Sequence, residues 1–260
     1  MLRDIFARAA REHRAAFITF LVAGDPSLAD TREMIATLKN CGADLIELGV
    51  PFSDPIADGP VIADAADRAL RNGVCLADVL TLASHSRDVP ITVFSYYNPI
   101  AQYGVERFAG DANGANVRAV IIPDIALDQV AELAQVFARF GIAMPLFVSP
   151  TTSPERLADI AARSTGFIYV VSRLGVTGVE RKLELSELGA RVRALRALTD
   201  LPLAVGFGIS SVREFHAVGE FADGVILGSA LINAYAKSAG DPARNVREFV
   251  KAFSPRPLAV

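Results

Sequence analysis

The chain has 260 residues, of which 52% are hydrophobic and 21% charged, and its formal net charge is −3. A chain of this size buries roughly 70–75% of the surface that it exposes when unfolded, so folding requires neither a disulfide nor a structural metal. The mean hydropathy of +0.34 excludes a disordered chain. The balance of charges argues against a nucleic-acid or membrane-surface binder, which usually carries a basic patch.

The sequence also predicts a cytoplasmic protein. No apolar run approaches the roughly 18 residues of a membrane span. The first residues, MLRDIFARAAREHRAAF, include acidic side chains and have neither the apolar core nor the cleavage site of a secretory signal. The two cysteines, Cys41 and Cys75, lie in helix-like contexts and are expected to be buried thiols of a reducing compartment.

Short apolar runs alternate with longer amphipathic stretches along the chain. The predicted strands are Phe17–Val22, Leu45–Gly49, Ile91–Ser95, Ala119–Ile122, Ala143–Val148, Phe167–Val171, Leu203–Gly206 and Gly224–Leu227. The predicted helices that follow them are Leu28–Cys41, Val61–Arg71, Val105–Asn113, Leu127–Phe140, Pro154–Arg163, Leu188–Leu198, Val212–Val218 and Ser229–Ala236. Strands that are apolar throughout are typical of a parallel sheet buried on both faces.

Eight such β–α alternations without a linker predict an α/β fold, a single (β/α)8 TIM barrel over residues 1–260. A doubly wound open sheet is the alternative, although it usually has fewer strands at this length. Two additions are expected: a helix at Arg3–Arg11 that closes the bottom of the barrel, and a helix at Leu76–Arg87 after strand 2. The segment Ser172–Glu184 lacks clear periodicity and is a candidate mobile lid.

The residue types at the ends of the predicted strands limit the catalytic mechanisms that the chain can use. The three histidines, His13, His85 and His216, all fall on helical stretches, which disfavours a histidine base or metal site. None of the four lysines ends a predicted strand, which disfavours a Schiff-base aldolase. Catalytic groups in a barrel lie at the carboxyl ends of the strands, so carboxylates and tyrosines remain.

One carboxylate is predicted to point into the barrel. Strand alternation puts Glu47 on one face with Leu45 and Gly49, while the aliphatic neighbours face the helices. Burial there should raise the pKa of Glu47 into the range useful for proton transfer; the alternative is a structural carboxylate paired with an arginine. Asp58 lies on the stiff loop that follows and is a second candidate, unless it only caps the next helix.

Glycines cluster after three consecutive strands. They are Gly175 and Gly178 after strand 6, Gly206 and Gly208 after strand 7, and Gly228, followed by Ser229, after strand 8. Barrels often bind phosphate after strands 7 and 8, with backbone N–H groups at a helix N-terminus. Three such clusters predict a phosphate site, although ordinary turns explain any one of them.

Four aromatic residues are predicted near the top of the barrel: Phe20, Phe94, Tyr96 and Tyr169. Singly, each is more typical of core packing. Together with a carboxylate and a phosphate site, they suggest that a flat apolar group occupies one end of a phosphorylated ligand.

These residues carry a family resemblance. The segment GADLIELGVPFSDPIADGP closely resembles the signature of the tryptophan synthase alpha chain family, and FLVAGDPS, YYNPIAQYG, IIPD, SRLGVTG, VGFGIS and LGSALI follow the family order over nearly the whole chain. The resemblance implies a (β/α)8 barrel that cleaves indole-3-glycerol phosphate to indole and glyceraldehyde 3-phosphate in L-tryptophan biosynthesis. It implies no cofactor or metal in this chain, with pyridoxal phosphate only in a beta chain partner, and an alpha2-beta2 heterotetramer.

The family roles transfer to matching positions. Glu47 and Asp58 match the two catalytic carboxylates, and Gly178, Gly206, Gly208, Gly228 and Ser229 match the phosphate site. Phe20, Tyr96 and Tyr169 match the indole pocket, and Phe94 takes an indole-side position. Asp54 and Pro55, toward the mouth of the Asp58 loop, are expected to touch the partner, and Thr177 to hydrogen-bond Asp58 when the loops close. Another phosphosugar barrel enzyme and a non-catalytic binding subunit remain as alternatives.

Overall fold

The computed structural model describes residues 2–172, 184–206, 208–236 and 240–253. Eight strands run through these residues, each short and almost wholly buried, as the continuous apolar runs predict. The strands are β1 (Ala16–Val22), β2 (Leu45–Gly49), β3 (Ile91–Phe94), β4 (Val117–Ile121), β5 (Leu146–Val148), β6 (Ile168–Val171), β7 (Leu203–Gly206) and β8 (Gly224–Leu227).

Helices lie between the strands and cover the outside of the sheet. In the described residues they are α1 (Leu2–Arg11), α2 (Leu28–Asn40), α3 (Pro60–Arg71), α4 (Leu76–His85), α5 (Tyr97–Tyr103), α6 (Val105–Gly114), α7 (Val130–Arg139), α8 (Pro154–Arg163), α9 (Leu185–Arg196), α10 (Val212–Gly219), α11 (Ser229–Ala236) and α12 (Pro242–Val250). None of them is both long and apolar enough to cross a bilayer.

The sheet closes into a barrel. Its strands pair in parallel in the order β4-β3-β2-β1-β8-β7-β6-β5. The two ends of this order meet through a parallel bridge between Ala119 and Ala143, where the Val120 N–H donates to the Ala143 carbonyl over 2.9 Å. The predicted (β/α)8 barrel is therefore confirmed, and the open-sheet alternative is wrong.

The amino-terminal end of the barrel is closed by α1, as the sequence predicts. The ring of Phe6 packs against Phe167, which immediately precedes β6, at 5.7 Å between centroids. Asp44, buried just before β2, accepts hydrogen bonds from Arg8 and Arg14 and from the backbone N–H of Phe17. A buried carboxylate with this many charged donors joins α1 to two strands.

Several element boundaries differ from the sequence prediction, and two helices were missed. The predicted strand from Ala143 shortens to β5 because Pro145 has no N–H to offer a neighbouring strand. The predicted helix from Leu127 begins at Val130. Both α5 and α12 were absent from the prediction, whereas the additional helix after β2 is confirmed as α4.

Candidate active site

A cavity opens at the carboxyl-terminal ends of the strands. It brings together predicted residues from six separate segments of the chain. Its lining consists of Phe20, Asp58, Ile62, Phe94, Tyr169, Gly208, Ile226, Gly228 and Ser229. Ile62 on α3 and Ile226 on β8 were not singled out in the sequence, because single aliphatic residues in a barrel are usually core.

Glu47 lies inside the barrel on β2, between Phe20 of β1 and Thr92 of β3 in the strand register. Its side chain is fully buried, and neither carboxyl oxygen has a hydrogen-bond partner among the described residues. Burial raises the pKa of Glu47 to about 8, because the surrounding apolar side chains disfavour the charged form. The arginine-paired alternative is therefore wrong, and the carboxyl group is protonated at neutral pH.

Asp58 lies on the loop between β2 and α3, at the cavity wall. The Tyr96 hydroxyl donates to its Oδ2 over 2.9 Å and accepts the Ala57 backbone N–H over the same distance. Burial raises the pKa of Asp58 to about 6, while the hydrogen bond from Tyr96 opposes this rise. Asp58 is thus ionised at neutral pH, and Gly59, not Asp58, is the N-cap of α3.

Tyr96 occupies a different position from the one expected for a wall of the indole pocket. It is not among the residues that line the cavity; instead, its ring stacks on Phe52 at 5.1 Å and its hydroxyl holds Asp58. Burial, followed by the Asp58 charge, raises the pKa of Tyr96, so the hydroxyl stays protonated as a donor. Tyr96 therefore orients a candidate catalytic group.

The other aromatic residues form one continuous wall. Phe20 meets Phe94 edge to face at 5.6 Å, and Phe94 meets Phe147 at 6.0 Å. Phe147 then packs against Tyr169 at 4.8 Å. Sequence reasoning missed Phe147, although it lies on a predicted strand in register with Tyr169. Burial raises the pKa of Tyr169 far above its ordinary value, so this wall is uncharged.

Backbone at Gly208 and Gly228 forms another part of the cavity lining. Gly208 has a φ of +83°, a conformation that side chains other than glycine rarely adopt. Gly228 precedes α11, and among the described residues a Cβ added there would meet no other atom closer than Phe20 at 3.7 Å. Packing therefore does not require glycine at Gly228. Its missing side chain leaves free space beside the N-terminus of α11, where N–H groups and the helix dipole favour an anion.

Gly206 differs from its two neighbouring glycines. It ends β7 in register with Val171, and a Cβ there would lie 2.5 Å from the Tyr169 hydroxyl. Gly206 is not among the cavity-lining residues. Its lack of a side chain makes room for Tyr169 in the aromatic wall, which is a packing reason for glycine at this position.

The remaining predicted residues fall outside the cavity or outside the described residues. Asp54 is exposed and accepts the Ser53 hydroxyl over 2.6 Å, and Pro55 is half-buried. Their neighbour Ile56 is 79% exposed. Thr177 and Gly178 lie outside the described residues, as do most of the candidate lid residues. Within the described chain, no group of three or more His, Cys, Asp or Glu side chains could hold a metal ion.

An ionised carboxylate, aromatic side chains and an open helix N-terminus line one cavity. The protonated Glu47 carboxyl group does not line it, but lies beside the cavity-lining Phe20 in the strand register. This arrangement defines a (β/α)8 barrel with a candidate acid–base site at the carboxyl ends of its strands. A family model described as tryptophan synthase alpha chain matches residues 6–256. The chain therefore belongs to the tryptophan synthase alpha chain family, and the resemblance seen in its motifs is confirmed.

Individual relatives match this chain over almost its full length. The chain is 44% identical over 242 residues to a tryptophan synthase alpha chain of Citrifermentans bemidjiense, covering 92% of this chain and 90% of the relative. It is 47% identical over 240 residues to one of Synechocystis sp., covering 89% and 88%. The crystal structure of tryptophan synthase subunit alpha from Legionella pneumophila superposes with a TM-score of 0.89 at 33% identity, covering 97% and 96%.

Proposed function

We propose that this chain catalyses the retro-aldol cleavage of indole-3-glycerol phosphate to indole and glyceraldehyde 3-phosphate, a carbon–carbon lyase reaction late in L-tryptophan biosynthesis. The observation that carries the proposal is the buried Glu47 carboxyl group without a hydrogen-bond partner among the described residues, next to a cavity whose wall includes Asp58. Membership of the family supports the same substrate.

The reaction needs two proton transfers, and a single carboxyl group can carry out both. Neutral Glu47 donates its proton to indole C3, which makes the ring an indoleninium with a positive nitrogen. The carboxylate formed on Glu47 then removes the proton from the hydroxyl on the carbon bonded to C3. The carbon–carbon bond breaks, its electron pair restores the C2–C3 double bond, and the aldehyde and indole are released. A pKa of about 8 suits a group that serves in turn as acid and base.

Asp58 stabilises the charge that appears between these two proton transfers. Its carboxylate accepts the ring N–H of the indoleninium, and the attraction is strongest when the nitrogen is positive. Tyr96 supports this role because its hydroxyl fixes Oδ2 at 2.9 Å and leaves Oδ1 for the ring nitrogen. The proton comes from Glu47 and the counter-charge from Asp58, so we infer that the step requires no cofactor in this chain.

The substrate orientation follows from the two sides of the cavity. The indole packs against Phe20, Phe94 and Tyr169, with Ile62 and Ile226 beside them. The phosphate binds at the N-terminus of α11, with Ser229 as a hydroxyl donor and the space beside Gly228 for its oxygens. This leaves the glycerol hydroxyl and indole C3 over Glu47.

The family name implies a beta chain in the complex. We infer that this chain joins it as an alpha2-beta2 heterotetramer, in which pyridoxal phosphate belongs to the beta chain. The exposed loop with Asp54, Pro55 and Ile56 supports a contact next to Asp58. Cys41 is buried as expected, whereas Cys75 is exposed, so the expectation of burial is wrong for Cys75. Both are free thiols, which supports a cytoplasmic location.

The test is indole release by Glu47→Gln, a variant that keeps the shape of the side chain without a transferable proton. Because general acid–base catalysis contributes ~10²–10⁴-fold and one group serves two steps here, turnover should fall by at least ~10³-fold while the substrate still binds. The matched control is Glu33→Gln, an exposed glutamate on α2. A Glu47→Gln enzyme with more than about a tenth of normal turnover would exclude the proton-shuttle role, and a wild-type chain that binds substrate without cleavage would indicate a non-catalytic subunit.

A further inference from the structure

Three side chains in the neighbouring strands β1, β2 and β3 are buried with polar atoms that lack a hydrogen-bond partner among the described residues. They are Thr19, Glu47 and Thr92, and each has no exposed surface. Buried polar groups in folded proteins are nearly always hydrogen-bonded. Each therefore needs an explanation, and two of the three are close together.

Thr92 is the residue of β3 that stands beside Glu47 in the strand register. Registered residues of adjacent parallel strands lie about 4.8 Å apart and point to the same face of the sheet. Phe94, two residues further along β3, lines the cavity, so Thr92 also faces the inside of the barrel, one step below it. The neighbour of Glu47 on the other side is Phe20, which has no polar group to offer.

We propose that Thr92 is a positioning residue for Glu47, whose hydroxyl hydrogen-bonds one carboxyl oxygen and thereby aims the other oxygen at the substrate. The inference deepens the proposed function and rests on it. In the structure the two groups are not bonded to each other, so the pairing requires a change of rotamer. A rotation of about 120° about the Cα–Cβ bond of Thr92 moves its hydroxyl to another staggered position on the same face. A hydroxyl is both donor and acceptor, so it pairs with Glu47 before and after the proton leaves.

The Thr92 hydroxyl does not stabilise the two protonation states of Glu47 equally. Donation from a hydroxyl to a carboxylate is charge-assisted and stronger than acceptance from a neutral acid. Thr92 therefore favours the ionised form and opposes the effect of burial on the pKa of Glu47. Neither β1 nor β3 presents a titratable group to Glu47. Across the barrel, Tyr169 on β6 is a titratable group that interacts with Glu47, since burial and then the charges of Glu47 and Asp58 raise the pKa of Tyr169.

The experiment compares Thr92→Val with Thr19→Val, a matched pair of isosteric changes. Thr19 is equally buried and lacks a partner in the same way, but its place next to Phe20 puts it on the outer face of the barrel. Thr92→Val should lower kcat about 10-fold with little change in KM, and should raise the alkaline pKa of the kcat/KM profile by roughly half to one unit. Thr92→Ser, which keeps the hydroxyl, should restore most of the rate, and Thr19→Val should behave as wild type.

A second measurement detects the hydrogen bond between Thr92 and Glu47 without relying on catalytic turnover. Isotope-edited infrared titration of the Glu47 carboxyl group should give a higher pKa in Thr92→Val than in wild type or Thr19→Val. If the valine variant folds poorly, Thr92→Ala replaces it and should show the same rise. An unchanged Glu47 pKa, or equal effects of the two valine variants, would overturn the proposal. If wild type cleaves no substrate, the proposed function fails, while the titration still decides whether Thr92 bonds Glu47.

Discussion

At the scale of single residues, the two candidate catalytic carboxyl groups, Glu47 and Asp58, differ in how far burial raises their pKa. Asp58 reaches about 6 and Glu47 about 8, so between these values one is ionised and the other protonated. The proposed reaction needs this combination. We therefore expect kcat/KM to be bell-shaped, falling below pH about 6 as Asp58 gains a proton and above pH about 8 as Glu47 loses one.

One substitution tests whether the acidic limb of the kcat/KM profile belongs to Asp58. The hydrogen bond from Tyr96 lowers the pKa of Asp58, so Tyr96→Phe should shift the acidic limb to higher pH and leave the alkaline limb in place. Steady-state rates from pH 5 to 10 check this. A profile without the acidic limb, or a shift of both limbs together, would contradict the assignment.

The raised pKa of Glu47 also predicts a pH-dependent stability. The pKa rises from 4.5 to about 8 on folding, so between these values the folded protein holds a proton that the unfolded chain has released. The free energy of unfolding must then decrease as pH rises through this window, by up to about 1.4 kcal/mol per pH unit. Glu47→Gln should remove this decrease, so its advantage in stability over wild type grows from pH 5 to pH 8.

Denaturant unfolding at several pH values measures this difference. Glu33→Gln, at an exposed position, should follow wild type throughout. A stability difference between wild type and Glu47→Gln that does not vary with pH would show that the carboxyl group is not held neutral in the folded protein.

Gly228 gives the residue-scale test of the phosphate site. The fold has room for a Cβ there, with the nearest other atom at 3.7 Å, so Gly228→Ala should fold normally. The methyl group would occupy space needed by the phosphate, and Gly228→Val would occupy more. Glycerol phosphate should bind at least ~10-fold more weakly to the variants while indole binds as before. Titrations with both ligands decide this, with Gly110→Ala on α6, where a Cβ makes an ordinary 3.5 Å contact, as the control.

At the scale of elements, the two helices that begin at the cavity are joined by one buried carboxylate. Asp25, just after β1, accepts two hydrogen bonds from Arg68 of α3, at 2.7 and 2.9 Å. It also accepts the hydroxyl of Tyr235 on α11 over 3.0 Å. The helix α3 begins after Asp58 and α11 begins at Ser229, so Asp25 fixes the distance between the candidate catalytic loop and the candidate phosphate site.

Breaking this link should be costly for stability. Arg68→Ala would leave the carboxylate of Asp25, which has no exposed surface, without its charged partner. The free energy of unfolding should fall by about 3 kcal/mol, since uncompensated buried charges are strongly destabilising. Arg71→Ala, one turn further along α3, removes only an exposed pair with Asp67 and should have no measurable effect. Equal stabilities of the two variants, measured by denaturant unfolding, would show that Asp25 is not a structural anchor.

The elements also show what the sequence could predict. Barrel strands were recognisable because parallel strands buried on both faces are apolar at every position. The helix α5 was missed because Asn98-Pro99 is typical of a turn, although proline is tolerated in the first turn of a helix. For α12 a signal existed, since Asp241 caps it ahead of Pro242. The roles of Tyr96, Phe147 and Gly206 depend on contacts between distant strands, which no local pattern contains.

At the scale of the whole molecule, the candidate catalytic loop carries the most exposed large apolar side chain among the described residues. Ile56 is 79% exposed, two residues before Asp58, and the backbone N–H of Ala57 between them donates to the Tyr96 hydroxyl. A protein that covers Ile56 therefore contacts the loop segment that the Tyr96 hydroxyl holds through its hydrogen bonds with Ala57 and Asp58. Sequence reasoning singled out Asp54 and Pro55 for partner contact, and Ile56 adds the apolar anchor that an interface centre usually needs.

The resulting prediction is that Ile56→Glu weakens association with the beta chain. Loss of an apolar anchor at an interface centre typically corresponds to ~30-fold or more in Kd. Leu198→Glu is the matched control, because Leu198 is also an exposed large apolar side chain, at 48%, but follows α9 at the opposite, amino-terminal end of the barrel. Titration of the alpha variants with the beta chain, read out by indole release and by calorimetry, separates the two positions. If the beta chain binds Ile56→Glu as tightly as wild type, or if Leu198→Glu is weakened equally, the beta chain does not dock over the Asp58 loop.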